Sequence, residues 1–507
     1  MSEITKLWQK YERGVIHHRI NNIYSQTEQN YNFYQSQQWK GLESGGEKLP
    51  FYNIIQPTVK FKSSMISMNN MEIVYTSHNT KDYEQFSKTC ERLNAFAAQK
   101  WESKKMDTKN WEIVKSSCIA GDSYIYFYNS DLDNQVIDNT NIYFGDEQQG
   151  DVQKQPYILI FERRSVSEVV QEAIKNHLAS SEIELIKTDE ENEDTFIKKD
   201  DPVTDNDKCS CVLCLYKKDG IVHISRSTKY VTYQKETKID GLHLYPIASY
   251  VWLKKKNSAR GIGEVSQMIP NQISINKQLA NREMSSKSAS FPRIVYNPEK
   301  VENPESLLQA GVPIKLSGDV RDIDSIFKNI TCATMSPDAK KLQDEMIERT
   351  RDLASAGNAA LGDVDPTKAS GVAITAVRDQ SAIPLNEQVA LYKQYVEDIA
   401  LIWYDMWCAY NTNGMQVYEN VHSRPQELVV THKQLSDLKM HVRIDVCPTN
   451  PYTKLAQEQS LENALSAKYI TFSEYVDALS ETSSSPKWKF KEILKKRSEN
   501  PETKTNE

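Results

Sequence analysis

The sequence contains no uninterrupted apolar run near the roughly 20 residues that a membrane-spanning helix needs, so we expect no membrane contact. Its first ten residues lead into a polar helical pattern, so we also expect no secretory signal. Its eight cysteines are scattered, apart from one short group. This usage favours reduced thiols and synthesis in a cytosol. No repeat of fixed period is present, which argues against a solenoid.

An excess of basic charge is also missing. The chain has 62 Lys and Arg residues against 69 Asp and Glu residues, a net charge of -7. A tight, non-selective nucleic-acid binder would be strongly basic. The segment 182–208 alone holds eleven acidic and four basic residues, so the rest of the chain is close to neutral. We predict that this segment is an exposed, partly disordered insertion.

Recognisable catalytic signatures are absent too. The sequence has no phosphate-binding loop of the Gly-x4-Gly-Lys-Ser/Thr type, no Gly-x-Ser-x-Gly elbow and no His-Glu-x2-His helix. We therefore expect no catalytic residue, no bound metal and no cofactor. The missing phosphate-binding loop also argues against an ATP-driven motor of the usual type, so a partner would have to supply the energy for any motor activity. Gly261-x-Gly263 precedes a helix, but Ser266 occupies the third position of a dinucleotide-binding fingerprint, so a helix start is the preferred interpretation.

The one cysteine group invites a zinc hypothesis. Cys209, Cys211 and Cys214, with His223, supply four residues of the right chemistry. In a strand, however, Cys209 and Cys211 face one side and Cys214 the other. The pattern favours buried strand cysteines over a metal site.

The N-terminal half has the pattern of a mixed α/β body. We predict a single helix up to about residue 35, further helices at 53–68 and 82–118, and strands at 71–76, 123–129, 156–163, 209–223, 229–236 and 247–253. Lys218-Asp219-Gly220 has the composition of a hairpin turn.

A β-rich insert between two helices follows. Residues 261–289 have a helical pattern with many small and polar side chains, and 290–336 are strand-like and punctuated by proline and glycine. Ser336-Pro337 is a typical helix start, and the helical pattern continues to 357. The insert is thus predicted to project from the body on a two-helix stalk.

After an exposed loop, a long helix is predicted. Leu385, Val389, Tyr392 and further apolar residues to Met406 recur at spacings of three and four. Pro384 is predicted to lie inside this helix and to kink it. Beyond residue 411 we predict short strands at 417–421 and 441–446, a helix from 450 to about 468, and a capping box at Thr471–Glu474. The tail 486–497 is basic.

This order of parts resembles the portal proteins of tailed bacteriophages, in the branch that includes the SPP1-type portals. Three signatures carry the resemblance: Tyr34-x4-Trp39 followed by Asn53-x3-Pro57, the helix–β–helix segment 261–357, and Lys368-Ala369-Ser370-Gly371-Val372-Ala373. The third signature is similar to the short sequence motif with which the long helix begins in that branch. Lys368 departs from the pattern, since a small or amide residue is expected there.

The resemblance implies a multi-domain α+β portal fold that forms a ring. Its parts would be an N-terminal wing (1–260, with the acidic insertion 182–208), stem helices (261–289 and 337–357), a small β-rich clip (290–336), a tunnel loop (358–370), the long kinked helix and the C-terminal wing (371–450), and a helical crown with the basic tail (451–507).

The resemblance also implies the function: a ring of about twelve copies at the capsid vertex of the virion, assembled in the host cytoplasm, through which double-stranded DNA is packaged and later ejected. Implied partners are the terminase large subunit, a head–tail adaptor, and the major capsid and scaffolding proteins. The expected DNA-facing loop residues are Leu361, Asp363, Asp365, Thr367 and Lys368. Gly371 and Pro384 are the expected hinge, and Lys368 and Arg378 the expected phosphate contacts.

One alternative comes from another class of protein. Asp363 and Asp365 are the carboxylates that a metal-dependent nuclease, or another DNA-processing enzyme of a phage, would use. Two loop carboxylates without further ligands are few for that chemistry. A smaller structural ring protein such as an adaptor is disfavoured by the length of the chain.

Overall fold

The chain folds as a mixed α+β protein with several domains. The computed structural model describes residues 3–41, 49–77, 83–188, 208–290, 293–308, 312–318, 326–330, 337–355, 383–421, 424–438, 440–448, 460–479, 489–490 and 494. The helices with both bounds in these ranges are α1 (Glu3–Ile20), α2 (Ile23–Tyr34), α3 (Ile55–Ser67), α4 (Tyr83–Ser103), α5 (Met106–Ala120), α6 (Val166–Lys175), α7 (Ser180–Ile183), α8 (Glu264–Ser290), α9 (Pro337–Leu353), α10 (Asn386–Tyr410), α11 (His432–Ser436) and α12 (Phe472–Ala478). Residues 460–466, within the helix predicted from 450 to about 468, are helical as well.

Antiparallel pairing joins the strands of the described residues into five sheets. The strands are β1 (Asn69–Ser77), β2 (Asp122–Tyr128), β3 (Asp133–Asp138), β4 (Ile142–Phe144), β5 (Tyr157–Ser165), β6 (Lys208–Lys218), β7 (Ile221–Thr228), β8 (Gln234–Lys238), β9 (Ile247–Val251), β10 (Arg293–Tyr296), β11 (Phe327–Ile330), β12 (Met415–Val421), β13 (Arg424–Val430) and β14 (Met440–Pro448). The largest sheet has the order β4-β5-β6-β7-β8, a second has the order β3-β2-β9, and β1-β14, β10-β11 and β12-β13 form pairs.

The hairpin turn between β6 and β7 is the predicted one. Asp219 and Gly220 both have positive φ, 52° and 76°. Two successive left-handed residues are what a two-residue turn matching the strand twist requires, and Asp-Gly adopts them at low cost. The two predicted strands, 209–223 and 229–236, are three in the structure: β6 ends at the turn, β7 follows it directly, and β8 begins at Gln234.

The first helical segment is two helices and not the single one predicted. Asn22, in the left-handed conformation at φ 56°, separates α1 from α2. The stripe of α1 packs on the largest sheet through Leu7, Trp8, Tyr11 and Val15. The Trp8 indole Nε1 donates a hydrogen bond to the Thr228 carbonyl oxygen at 2.8 Å, which ties the start of the chain to β7.

Helix α10 is the centre of the main core. Its predicted stripe is confirmed: Tyr392, Val396, Ile399, Trp403 and Met406 are buried. The core around it includes side chains from α3, α4, α5, β2 and β9. Tyrosines of neighbouring elements bond to backbone carbonyls of α10, for example Tyr75 to Ala400 at 2.9 Å. These bonds let polar hydroxyls enter the core without losing their partners.

The predicted strand-rich segment between two helices is also present. β10 follows α8 and pairs with β11, which precedes α9. Helices α8 and α9 pack against each other, and we call this pair the stalk. α9 ends at Leu353, earlier than the predicted 357.

Near the C-terminus, the predicted strands 417–421 and 441–446 correspond to β12 and β14, and two elements were missed. Thr471 and Glu474 form the predicted capping box at the start of α12, and Ile470 packs with Tyr475 in a small apolar cluster. The missed elements are β13, which contains Pro425 and pairs with β12, and the short helix α11. Among the described helices, none combines the length and the apolarity that crossing a membrane requires.

Candidate functional site at the root of the stalk

Most sequence-predicted site residues fall in one segment. Leu361, Asp363, Asp365, Thr367, Lys368, Gly371 and Arg378 all belong to 356–382, outside the described residues. Pro384 is described: it lies in the 3-10 turn Ile383–Leu385, and α10 begins immediately after it at Asn386. The kink predicted at Pro384 stays a prediction, because the chain before residue 383 is not described.

The described residues place an extended polar cluster where β9 leads into α8. We call residues Arg260–Glu264 the root of the stalk. The Arg260 guanidinium is buried and donates to both oxygens of Glu147, from Nε to Oε2 and from Nη2 to Oε1, each at 3.0 Å. A two-bonded arginine–carboxylate contact fixes geometry as well as charge. The root is thereby held at a defined angle to the loop that follows β4.

Further acceptors surround the same guanidinium. Nη1 donates to the Asn139 carbonyl oxygen at 2.9 Å, and Nη2 to the Ile142 carbonyl oxygen at 2.7 Å. Asp122 Oδ2 lies 3.4 Å from Nη1, so it is the more distant of the two carboxylates. Its Oδ1 accepts from the Gly261 backbone N–H at 3.2 Å. The root is therefore bonded to β2, to the β3–β4 connection and to β4.

The pKa shifts in the cluster follow from burial and from these contacts. Burial acts to raise the pKa of Glu147, but its contacts with Arg260, and with His18 when that ring is protonated, outweigh burial and lower the pKa. Burial raises the pKa of Asp122, and Arg260 offsets this only in part. The opposite pKa shifts of Glu147 and Asp122 agree with the distances, since Glu147 accepts the two short hydrogen bonds from Arg260. Glu147 is the main counter-charge of Arg260.

Two glycines of the root touch the backbone of the α5–β2 corner. A Cβ at Gly261 would lie 2.6 Å from Val251 Cγ1 and would overlap the Gly121 carbonyl oxygen. A Cβ at Gly263 would overlap the Ile119 carbonyl oxygen. Gly121 itself has φ +116°, which side chains rarely adopt. Gly261-x-Gly263 thus serves close backbone packing before a helix, in agreement with the preference for a helix start over a dinucleotide site.

The first turn of α8 adds a second buried ion pair. Glu264 Oε1 lies 2.7 Å from Lys62 Nζ of α3, with both side chains nearly buried. Its Oε2 accepts from the Trp252 indole Nε1 at 3.1 Å. A carboxylate at a helix N-terminus is also favoured by the helix dipole. The two ion pairs, four residues apart, fix both ends of the root.

Beyond the root, α8 is held by amides and not by apolar side chains alone. Gln272 Oε1 accepts from the Ile54 backbone N–H at 3.1 Å, and Gln272 Nε2 donates to the Tyr52 carbonyl oxygen at 2.7 Å. Asn276 bonds to Gln38 and accepts from the Tyr52 backbone N–H. The sequence pattern of 261–289 showed many polar side chains but not the direction in which they face. The structure turns Gln272 and Asn276 inward, toward the chain's own α2–α3 connection.

Helices α8 and α9 meet along a polar seam. Asn271 Nδ2 donates to Thr350 Oγ1 at 3.1 Å, and Arg282 Nη1 donates to Gln343 Oε1 at 2.6 Å. Between these bonds, Ser274 and Gln278 contact the Met346 sulfur. Gln343 and Thr350 are buried, so the seam is desolvated and fixes which faces meet.

The outer faces of the stalk and insert carry exposed apolar side chains. Leu342 is 52% exposed, Leu353 80% and Met284 61%. The insert adds exposed Val295 and Val312. The described residues leave each of these apolar side chains exposed.

The cysteine group divides between the two faces of β6. Cys209 and Cys211 pack with Val169 and Tyr233, with their sulfurs 3.9 Å apart. Cys214 packs on the opposite face with Tyr143. The predicted split of the zinc ligands is therefore confirmed. In the described part of the chain, no group of three or more His, Cys, Asp or Glu side chains could hold a metal ion.

Sequence reasoning missed the residues that build the root. Arg260, Glu147 and His18 lie far apart in the chain, and each alone has an ordinary local context. One signal was available: an arginine and a glutamate flank two closely spaced glycines just before a helix.

Comparison with known proteins adds no family. No protein-family model matches the chain, and no curated protein is significantly similar to it. The class defined by the fold is a mixed α+β protein of several domains that carries a strand-containing insert on a helical stalk.

Proposed function

We propose that the chain is a portal subunit: a non-enzymatic, ring-forming channel for double-stranded DNA at the capsid vertex of a tailed phage. The observation that carries the proposal is the stalk. Helix α8 leaves a firmly bonded root, α9 packs against it, and a strand pair lies between the two helices. The stalk exposes the apolar side chains of Leu342, Leu353 and Met284. Neighbouring copies in a closed ring would cover such a surface.

The remaining parts take their roles from the resemblance. The stalk would be the stem, the insert would be the clip that docks the terminase large subunit and later the head–tail adaptor, and the body around α10 would be the wing that meets capsid and scaffolding proteins. The loop 358–370 would face DNA, with Lys368 and Arg378 as transient phosphate contacts and Gly371 and Pro384 as the hinge.

Weak charge fits transport better than tight binding does. Each phosphate that a protein neutralises strengthens and pins its complex with DNA. The net charge of -7, with its excess in 182–208, leaves the remaining chain near neutral. A channel lined by few bases would let DNA pass.

The direct test is the mass and shape of the purified chain. Twelve copies of the 58.2 kDa chain would form a species of about 700 kDa. Native mass spectrometry should detect it, and negative-stain images should show an annulus with a central hole. A chain that stays monomeric at micromolar concentration over a range of salt, and cleaves DNA when magnesium is added, would favour the nuclease alternative.

Replacing Leu342 by glutamate should abolish the ring. Leu342 is about half exposed in the single chain, so the change costs the monomer little, but a ring would have to bury the new charge. We expect most of the protein to shift from about 700 kDa to the 58.2 kDa monomer in native mass spectrometry.

The matched control is Ile174→Glu, the same kind of change at a similarly exposed apolar residue on α6. This variant should still form the ring. Rings that form equally well with Leu342→Glu would show that the outer face of α9 is not an interface between copies.

A further inference from the structure

The end of α1 meets the root through a buried histidine. His18, in the last turn of α1, is fully buried, and its Nε2 lies 2.9 Å from Arg260 Nη2. An arginine can only donate, so His18 Nε2 accepts and the imidazole is neutral in this arrangement. The contact thus joins the N-terminal helix to the root only while His18 carries no proton on Nε2.

A protonated His18 ring would be repelled by Arg260 and would compete with it for Glu147. His18 stacks on Tyr143 of β4, with centroids 4.5 Å apart, and lies edge-on to Tyr24 of α2 at 5.3 Å. Glu147 Oε1 lies 3.7 Å from Nε2. His17 and Arg19 flank the ring on α1, and Asp122 of β2 reaches the cluster through Arg260. A proton on Nε2 would place two cations together and make them share one carboxylate.

The approach of α1 to this site is close. A Cβ at Gly14, one turn before His18, would lie 2.7 Å from Tyr143 Cδ1. Asn22, directly after α1, holds a left-handed conformation. The second half of α1 is therefore packed closely against Tyr143, the ring on which His18 stacks.

We propose that His18 is a proton-operated latch: neutral, it fastens the last turn of α1 to the root of the stalk, and protonated, it lets that turn and the α1–α2 corner detach. The proton comes from solvent and binds Nε2, and the Arg260–Glu147 contact remains as the root's own clamp. Leu7 and Trp8 anchor the first half of α1 to the largest sheet, so release is local to its last turn. The latch does not depend on the function proposed above.

The direction of the pH effect follows from linkage. Burial lowers the pKa of His18 below its ordinary value of 6.5, and Arg260 lowers it further, while Glu147 opposes both. A released histidine titrates near 6.5 and therefore takes up protons more readily than the docked one. Docking is then complete above about pH 6.5 and weakens as the pH falls below that value, with an opening constant that rises at most about tenfold per pH unit for one proton.

Hydrogen–deuterium exchange of the full chain at pH 7.5, 6.5 and 5.5, corrected for intrinsic exchange rates, tests the latch. Protection of the segment 14–24 should fall as the pH drops, while α6 and α10 keep theirs. In His18→Gln, whose amide oxygen still accepts from Arg260 but does not titrate, protection of 14–24 should be independent of pH. His17→Gln, the matched control on the adjacent histidine, should behave like the wild type.

Two results would overturn the proposal. One is a wild-type segment 14–24 whose protection changes no more than that of α6 and α10 over this pH range. The other is a His18→Gln variant that loses protection with falling pH as the wild type does. If His18→Gln does not fold, the wild-type comparison with α6 and α10 decides alone, and His17→Gln reports on any share of the second histidine.

Discussion

Replacing Arg260 by alanine should lower the free energy of unfolding by about 3–5 kcal/mol, the usual cost of removing one partner from a buried charged network. The change leaves Glu147 and the more distant Asp122 buried without their cation, and it leaves the carbonyl oxygens of Asn139 and Ile142 without a donor. Urea unfolding followed by tryptophan fluorescence measures the loss.

The matched control for this change removes an exposed cation. Lys238 pairs with Asp240 at 2.6 Å, but both side chains are at least half exposed. Lys238→Ala should change the free energy of unfolding by no more than about 0.5 kcal/mol, because exposed ion pairs are screened by water. A loss for Arg260→Ala as small as for this control would show that the root is not held by its buried charges.

Replacing Gly261 by alanine should destabilise the chain by about 1–3 kcal/mol or more, the range for overpacking a filled interior. The new methyl group would meet Val251 and the Gly121 backbone, and a backbone cannot rotate away as a long side chain can. The root would have to move away from β2. This movement would also strain the hydrogen bond that the Gly261 N–H donates to Asp122. The urea midpoint measures the loss of stability, and the hydrogen-exchange protection of α8 reports the displacement of the root.

Gly150→Ala is the control for the alanine substitution. Its nearest neighbour would be the Ser258 carbonyl oxygen at 3.4 Å, and its backbone has no positive φ. Gly150→Ala should be neutral, or slightly stabilising because it restricts the unfolded chain. Equal midpoints for Gly261→Ala and wild type would contradict the close packing at the root.

Local patterns predicted those elements whose causes are local. The stripe of α10, the Asp219-Gly220 turn and the Thr471–Glu474 capping box each depend on residues a few positions apart. Spacing and turn chemistry are readable in one sequence, and these elements formed as expected. The strand parity that separates Cys214 from Cys209 and Cys211 belongs to the same class.

The contacts of the root could not be predicted from the sequence, because the partners of Arg260 are distant from it in the chain. Arg260 meets residues from α1, β2 and the loop after β4, and no local pattern indicates which acids an arginine will find. The polar face of α8 shows the same limit. The polar residues of this helix were noted in the sequence. The side on which its amide side chains find partners, however, depends on where the α2–α3 connection passes. The candidate tunnel-loop residues lie outside the described residues, so their roles rest on the resemblance.

The pairing of β1 with β14 has a consequence for synthesis on the ribosome. β1 ends at Ser77, and its partner begins at Met440, so almost the whole chain must be made before the pair can close. At about 5–20 residues per second, the edge of β1 waits for its partner for a time on the order of tens of seconds. An open edge of this kind invites pairing with the wrong strand, including the same strand of another nascent chain. Neighbouring ribosomes on one message would bring such strands together, so slower initiation of translation should raise the yield of correctly folded protein.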